Sequence, residues 1–95
     1  MAGKVTIIEK GPSGAVQYSE GWLKKNTCEF YWEFGGGEVL ATVWFPAEDK
    51  WDEKYPWARG RHKEIINHVA NEVRRQKARS CTIQWEADRF HLIQK

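Results

Sequence analysis

The sequence predicts an α+β domain of two layers: an antiparallel sheet of about six strands with one long helix packed on one face, in the order β-β-β-β-α-β-β. Three observations lead there. Six runs rich in β-branched and aromatic residues are punctuated by turn residues. A single stretch, 58–77, repeats its apolar residues at helical spacing. Connections within each group of strands are short, which makes neighbours antiparallel.

Lys4 to Lys10 and Ala15 to Leu23 read as the first two strands, joined by Gly-Pro-Ser-Gly at 11–14. Pro12 presets φ for that turn and its glycines tolerate positive φ. Thr27 to Phe34 and Glu38 to Phe45 flank Gly35-Gly36-Gly37 and form the clearest hairpin. Pairing Cys28 with Val43, Phe30 with Ala41 and Trp32 with Val39 gives one wholly apolar face, extended by Phe34 and Phe45. The other face then carries Glu29, Tyr31, Glu33, Glu38, Leu40, Thr42 and Trp44. A slip of one residue would set Val39 and Val43 against Glu33 and Glu29, so patterning selects the first register.

Ser80 to Glu86 and Arg89 to Gln94 form a third hairpin around Ala87-Asp88. Trp85 with Phe90 and Ile83 with Leu92 give it an apolar face, joined by Cys81, while Glu86 and Arg89 oppose each other beside the turn. Gln84, Thr82, His91 and Ile93 face the other way. Between the hairpins, Ala58 to Lys77 carries the stripe Ile65, Ile66, Val69 and Val73, with Pro56 at the entry and Arg74, Arg75 and Lys77 in the last turn, where cations suit the helix dipole. Patterning does not fix the register of Trp22.

The chain has 95 residues, a formal net charge of +2, 41% hydrophobic residues and six Trp. That size supports one domain, 1–95, with one modest core, and the apolar fraction excludes disorder. No run approaches the roughly 18 apolar residues of a membrane span, and Met1 to Lys10 lacks the apolar stretch of a signal peptide. A cytoplasmic protein is expected, with Cys28 and Cys81 as reduced, buried small hydrophobes. A helix about 10 Å wide cannot cover six strands about 4.8 Å apart unless it crosses obliquely. Part of the apolar face therefore needs another cover, and a second copy is the simplest, so a homodimer is an expectation.

The sequence carries no phosphate loop, no G-x-G-x-x-G, no H-E-x-x-H, no G-x-S-x-G and no EF-hand spacing. Gly35-Gly36-Gly37 opens no helix and reads as a hairpin turn rather than an anion cradle. His62 lies near the apolar stripe of the helix and reads as a boundary residue. His68, between Glu64 and Glu72, supplies one imidazole where a metal needs more. His91 stands alone on the last strand. Glu48, Asp49, Asp52 and Glu53 are interleaved with Lys50 and Lys54 and read as a solvated loop. No catalytic residue, metal or cofactor is expected.

Two regions break the ordinary pattern. Trp51 to Arg61 places Trp51, Tyr55 and Trp57 in seven residues of apparent loop, followed by Arg59 and Arg61 near a helix start, where the dipole disfavours cations. Aromatic and arginine residues are the types enriched in interface hot spots. The bland reading is a satellite cluster capping the sheet. The second region is the outer face of the central hairpin, with Tyr31, Leu40 and Trp44, and Thr42 beside them, rimmed by Glu29, Glu33 and Glu38; if the N-terminal hairpin folds over it, it is core.

Three functions follow. A non-catalytic interaction domain would bind a protein, or itself, through Trp44, Trp51, Tyr55, Trp57, Arg59, Arg61 and Tyr31. A nucleic-acid binder would use Arg59, Arg61, Lys63, Arg74, Arg75, Lys77 and Arg79, although residues 1–58 hold six Lys against nine Asp/Glu and oppose a phosphate backbone. A small enzyme or ligand-binding cup would need a cavity of at least about 300 Å³ beneath the aromatics, with His62 or His91 in it. The first reading fits the charge and the aromatic placement best.

Overall fold

The computed structural model describes residues 3–21 and 26–94. Strands β1 (Lys4–Lys10), β2 (Ser13–Ser19), β3 (Thr27–Phe34) and β4 (Val39–Trp44) lead into helix α1 (Glu48–Lys54), a 3-10 turn (Pro56–Ala58) and helix α2 (His62–Lys77). Strands β5 (Thr82–Glu86) and β6 (Arg89–Ile93) complete one six-stranded antiparallel sheet in the order β1-β2-β3-β4-β6-β5. The α+β architecture is the one the sequence predicts. The expected end of the second strand at Leu23, with Trp22, lies outside the described residues.

The β3–β4 register differs from the one read from patterning. Trp32 opposes Val43 and Phe34 opposes Ala41, four residues from the expected pairing. An even shift keeps every side chain on its face, so alternation alone cannot detect it. The turn decides instead. The Val39 N–H bonds the Gly36 carbonyl at 3.2 Å and the Gly35 N–H bonds the Leu40 carbonyl at 3.0 Å, with Gly37 at φ +62°. Pairing is therefore confined to residues 31–34 of β3.

The same hairpin moves Leu40. The register between β4 and β6 breaks between Val39 and Ala41, leaving Leu40 as the extra residue of a bulge. Leu40 packs against the core on the helix side instead of standing on the outer face.

The expected helix from Ala58 is also corrected. Gly60 adopts φ +76°, a left-handed conformation that no regular helix contains, and α2 starts at His62. The acidic stretch read as a loop is a short helix with Glu48 and Asp49 in its first turn, where carboxylates suit the dipole, and Trp51 as its buried residue.

The core lies between the sheet and α2, with α1 closing one end. Ile65, Ile66, Val69, Ala70 and Val73 of α2 meet Val16, Phe30, Trp32, Val43, Phe90 and Leu92 of the sheet. Side chains fasten α2 to the β1 region: His68 Nε2 bonds the Gly3 carbonyl at 2.9 Å, Gln76 Nε2 donates to the Val5 carbonyl at 3.1 Å, and Lys77 pairs with Glu9. One helix does not cover the whole face. Phe34 remains 48% exposed and Trp85 44% exposed on the core side of the sheet. No helix among the described residues is long and apolar enough to cross a membrane.

Candidate binding surface

The Trp51–Arg61 segment is mostly interior. Trp51 is 0% exposed, stacks on Phe30 with ring centres 6.1 Å apart, lies edge-on to His62 at 5.2 Å, and donates from Nε1 to the Ala58 carbonyl at 2.9 Å. Tyr55 is buried edge-on to Phe30, at 6.1 Å. Burial pushes its phenol above the ordinary range. These two rings are removed from the candidate surface, because a domain this small uses its large side chains as core. Trp57 is half-buried and stacked 6.5 Å from Tyr18.

The arginines separate in the same way. Arg61 reaches back to the end of β2: Nη1 donates to Glu20 at 3.0 Å, Nη2 also pairs with Glu20, and Nε and Nη2 bond Glu64 at 3.2 and 2.7 Å. Its guanidinium holds the Glu20 carboxyl below its ordinary value. The hydroxyl of Tyr18 donates to the same carboxylate, and burial followed by that bond pushes the phenol up to about 12. Arg61 is thus a structural tie. Arg59 is largely exposed, with Nε 3.8 Å from Asp52.

The outer face of the sheet is different. Both helices lie on the other side, and the cross-strand register sets Ile8, Ala15, Tyr31, Trp44, Arg89 and Glu86 in one row running over all six strands. Tyr31 is 50% exposed and Trp44 half-buried, with ring centres 5.5 Å apart. The Arg89 guanidinium lies 6.0 Å from the centre of the Trp44 ring, within cation–π range. Arg89 Nε donates to Asp88 at 2.9 Å and holds that carboxyl below its ordinary value. Glu33, which accepts from the Tyr31 hydroxyl at 3.0 Å, and Glu29, which accepts from Gln17 at 3.0 Å, form an acidic rim. Sequence reasoning identified Tyr31 and Trp44 and missed Arg89. Its place beside Trp44 follows from the β4–β6 pairing, and strand order is not visible in a linear pattern.

Beside this row His91 bridges two strands. Its Nδ1 is 2.7 Å from Thr42 Oγ1 and its Nε2 is 2.5 Å from Glu86. A carboxylate accepts only, so Nε2 donates to Glu86. A hydroxyl and a carboxylate on opposite imidazole nitrogens resemble a nucleophile-activating chain. Thr42 is only 6% exposed, however, which leaves no approach for a substrate carbonyl. The chain locks β4, β6 and β5 in register.

His62 lines a cleft of about 440 Å³ between the start of α2 and the end of β5, with Phe45, Glu48, Lys63, Asn67 and Trp85 also on its walls. The cleft exceeds the size a ligand cup requires. The His62 ring is committed within the fold, with Nε2 3.0 Å from the Pro46 carbonyl.

Of the basic residues named for nucleic acid, Arg59, Arg61, Arg75 and Lys77 all face carboxylates, those of Asp52, Glu20, Glu72 and Glu9. Among the described residues no group of three His, Cys, Asp or Glu is placed to hold a metal. The chain matches no family model, no curated protein and no solved structure.

Proposed function

We propose that this chain is a non-catalytic interaction domain that takes a protein partner on the open face of its sheet, through Tyr31, Trp44 and Arg89. The observation that carries the reading is the Tyr31–Trp44 pair with Arg89 over it, on a face that neither helix covers. Rigid aromatic rings beside an arginine are the side-chain types that concentrate binding energy at protein interfaces. Glu29 and Glu33 at the rim disfavour a phosphate backbone and favour a polypeptide with basic groups.

The test compares wild type with a Tyr31→Ser/Trp44→Ser double variant as bait in lysate of the source cells. An amide spectrum verifies that the variant is folded. Support is a protein retained by wild type, lost with the variant, and mapped by its effect on amide shifts to β3, β4 and β6. Shifts confined to α2 with mixed-sequence DNA or RNA at low salt, and no protein retained, overturn the reading.

A further inference from the structure

We infer that two copies of this chain associate edge to edge through β5, in antiparallel register centred on Gln84. This association uses a different part of the molecule from the Tyr31–Trp44 face and does not depend on it.

The sheet has two edges, β1 and β5. A strand edge presents unpaired N–H and C=O groups, and folds blunt such edges with charge, proline or bulges. β1 carries Lys4, Glu9 and Lys10. Pairing it with itself about Ile7 would place Lys4 against Lys10 and Val5 against Glu9, which opposes like charges and sets a carboxylate against an apolar side chain. β5 reads Thr-Ile-Gln-Trp-Glu, with no proline, no bulge against β6 and one charge, at its last residue.

The β5 sequence is self-complementary. About a two-fold axis at Gln84, Ile83 faces Trp85 of the second copy, Thr82 faces Glu86, and Gln84 meets Gln84. Ile83 and Trp85 lie on the helix side of the sheet, where Trp85 is 44% exposed and Ile83 partly buried. Each exposed indole thus gains an apolar cover that its own α2 does not supply. Thr82, Gln84 and Glu86 stay on the outer face.

The backbone suits the same register. The turn at Ala87-Asp88 closes on the pair Glu86 and Arg89. Taking that pair as the first hydrogen-bonded one, alternation directs the N–H and C=O groups of Ile83 and Trp85 to the free edge. These are the residues that the two-fold places opposite each other. The axis stands perpendicular to the sheet, so both α2 helices stay on one side. The cleft of about 440 Å³ between Trp85 and α2 leaves room for the incoming side chains.

The test uses the axis. Gln84 is exposed and bonds no other side chain among the described residues. Gln84→Lys and Gln84→Glu each place like charges against each other in the dimer and leave the monomer's core untouched. Light scattering over a concentration series is expected to take wild type towards twice 11.1 kDa. Each variant alone is expected to dissociate with a constant raised about tenfold or more. An equimolar mixture of the two should recover the wild-type mass, because Lys then faces Glu. Hydrogen exchange should show the Ile83 and Trp85 amides gaining protection with concentration. Wild type that remains at 11.1 kDa at millimolar concentration overturns the inference. So does a Gln84→Lys dimer as tight as wild type, which would place the contact on another face, or a mixture that stays monomeric.

Discussion

The Tyr55 hydroxyl makes two bonds to the backbone of Glu29: it donates to the carbonyl at 3.1 Å and accepts the N–H at 3.4 Å. One phenol thereby does the work of a missing strand. β4 pairs with residues 31–34 of β3 only, and the chain leaves the sheet through Phe45 and Pro46, whose nitrogen carries no hydrogen to continue the ladder. The chain then returns with α1, and Tyr55 occupies the position that β4 vacates.

Tyr55→Phe therefore keeps the ring and strands both backbone groups of Glu29. Leaving part-buried polar groups unpaired costs more than the net value of the bonds themselves. The variant is expected to lose about 1–3 kcal/mol in urea unfolding, with faster hydrogen exchange at Glu29. A loss below about 0.5 kcal/mol, which is typical of an uninvolved surface site, would show that water replaces the phenol.

Gly14 sits opposite Trp32 on the neighbouring strand, and the Trp32 indole donates to the Ile8 carbonyl at 3.0 Å across it. A Cβ built at Gly14 would lie 1.9 Å from the Ile8 oxygen and 2.9 Å from Trp32 Nε1. Gly14→Ala must displace a backbone carbonyl in the ladder and break the indole bond. The expected destabilisation is about 1–3 kcal/mol, with a change in Trp32 fluorescence. An unfolding midpoint matching wild type would refute the close approach.

Acid stability depends on Glu20. Its carboxyl is held below its ordinary value of 4.5, mainly by its bond to Arg61. A depressed carboxyl stabilises the fold above its unfolded value, and that contribution is lost as pH falls through the folded value. Wild type should therefore lose stability on acidification from pH 5 to pH 3 more steeply than Glu20→Gln, which has no carboxyl to titrate. Urea midpoints across that range measure the difference, and parallel curves would remove Glu20 from the acid limb.

Much of the architecture was legible in the residues. Strand alternation placed Phe30, Trp32, Val43, Phe90 and Leu92 on the core side, and helical spacing selected Ile65, Ile66, Val69 and Val73. The candidate surface was half legible. Tyr31 and Trp44 came from parity, which survives a four-residue shift. Trp51 and Tyr55 misled because unusual aromatic density in an apparent loop has the same signature whether the rings point to a partner or into the core.

The sequence by itself determined the fold class, the order of the six strands and the long helix, and the core-facing residues of β3 and of the β5–β6 hairpin, because these depend on local periodicity and on the burial of apolar groups. Tertiary structure decided the β3–β4 register, the inward turn of Leu40, the burial of Trp51 and the meeting of Trp44 with Arg89. The first two follow from the hydrogen bonds that close the 35–40 turn and the bulge against β6, the last two from packing between distant parts of the chain, and a linear pattern of apolar and polar residues holds no record of either.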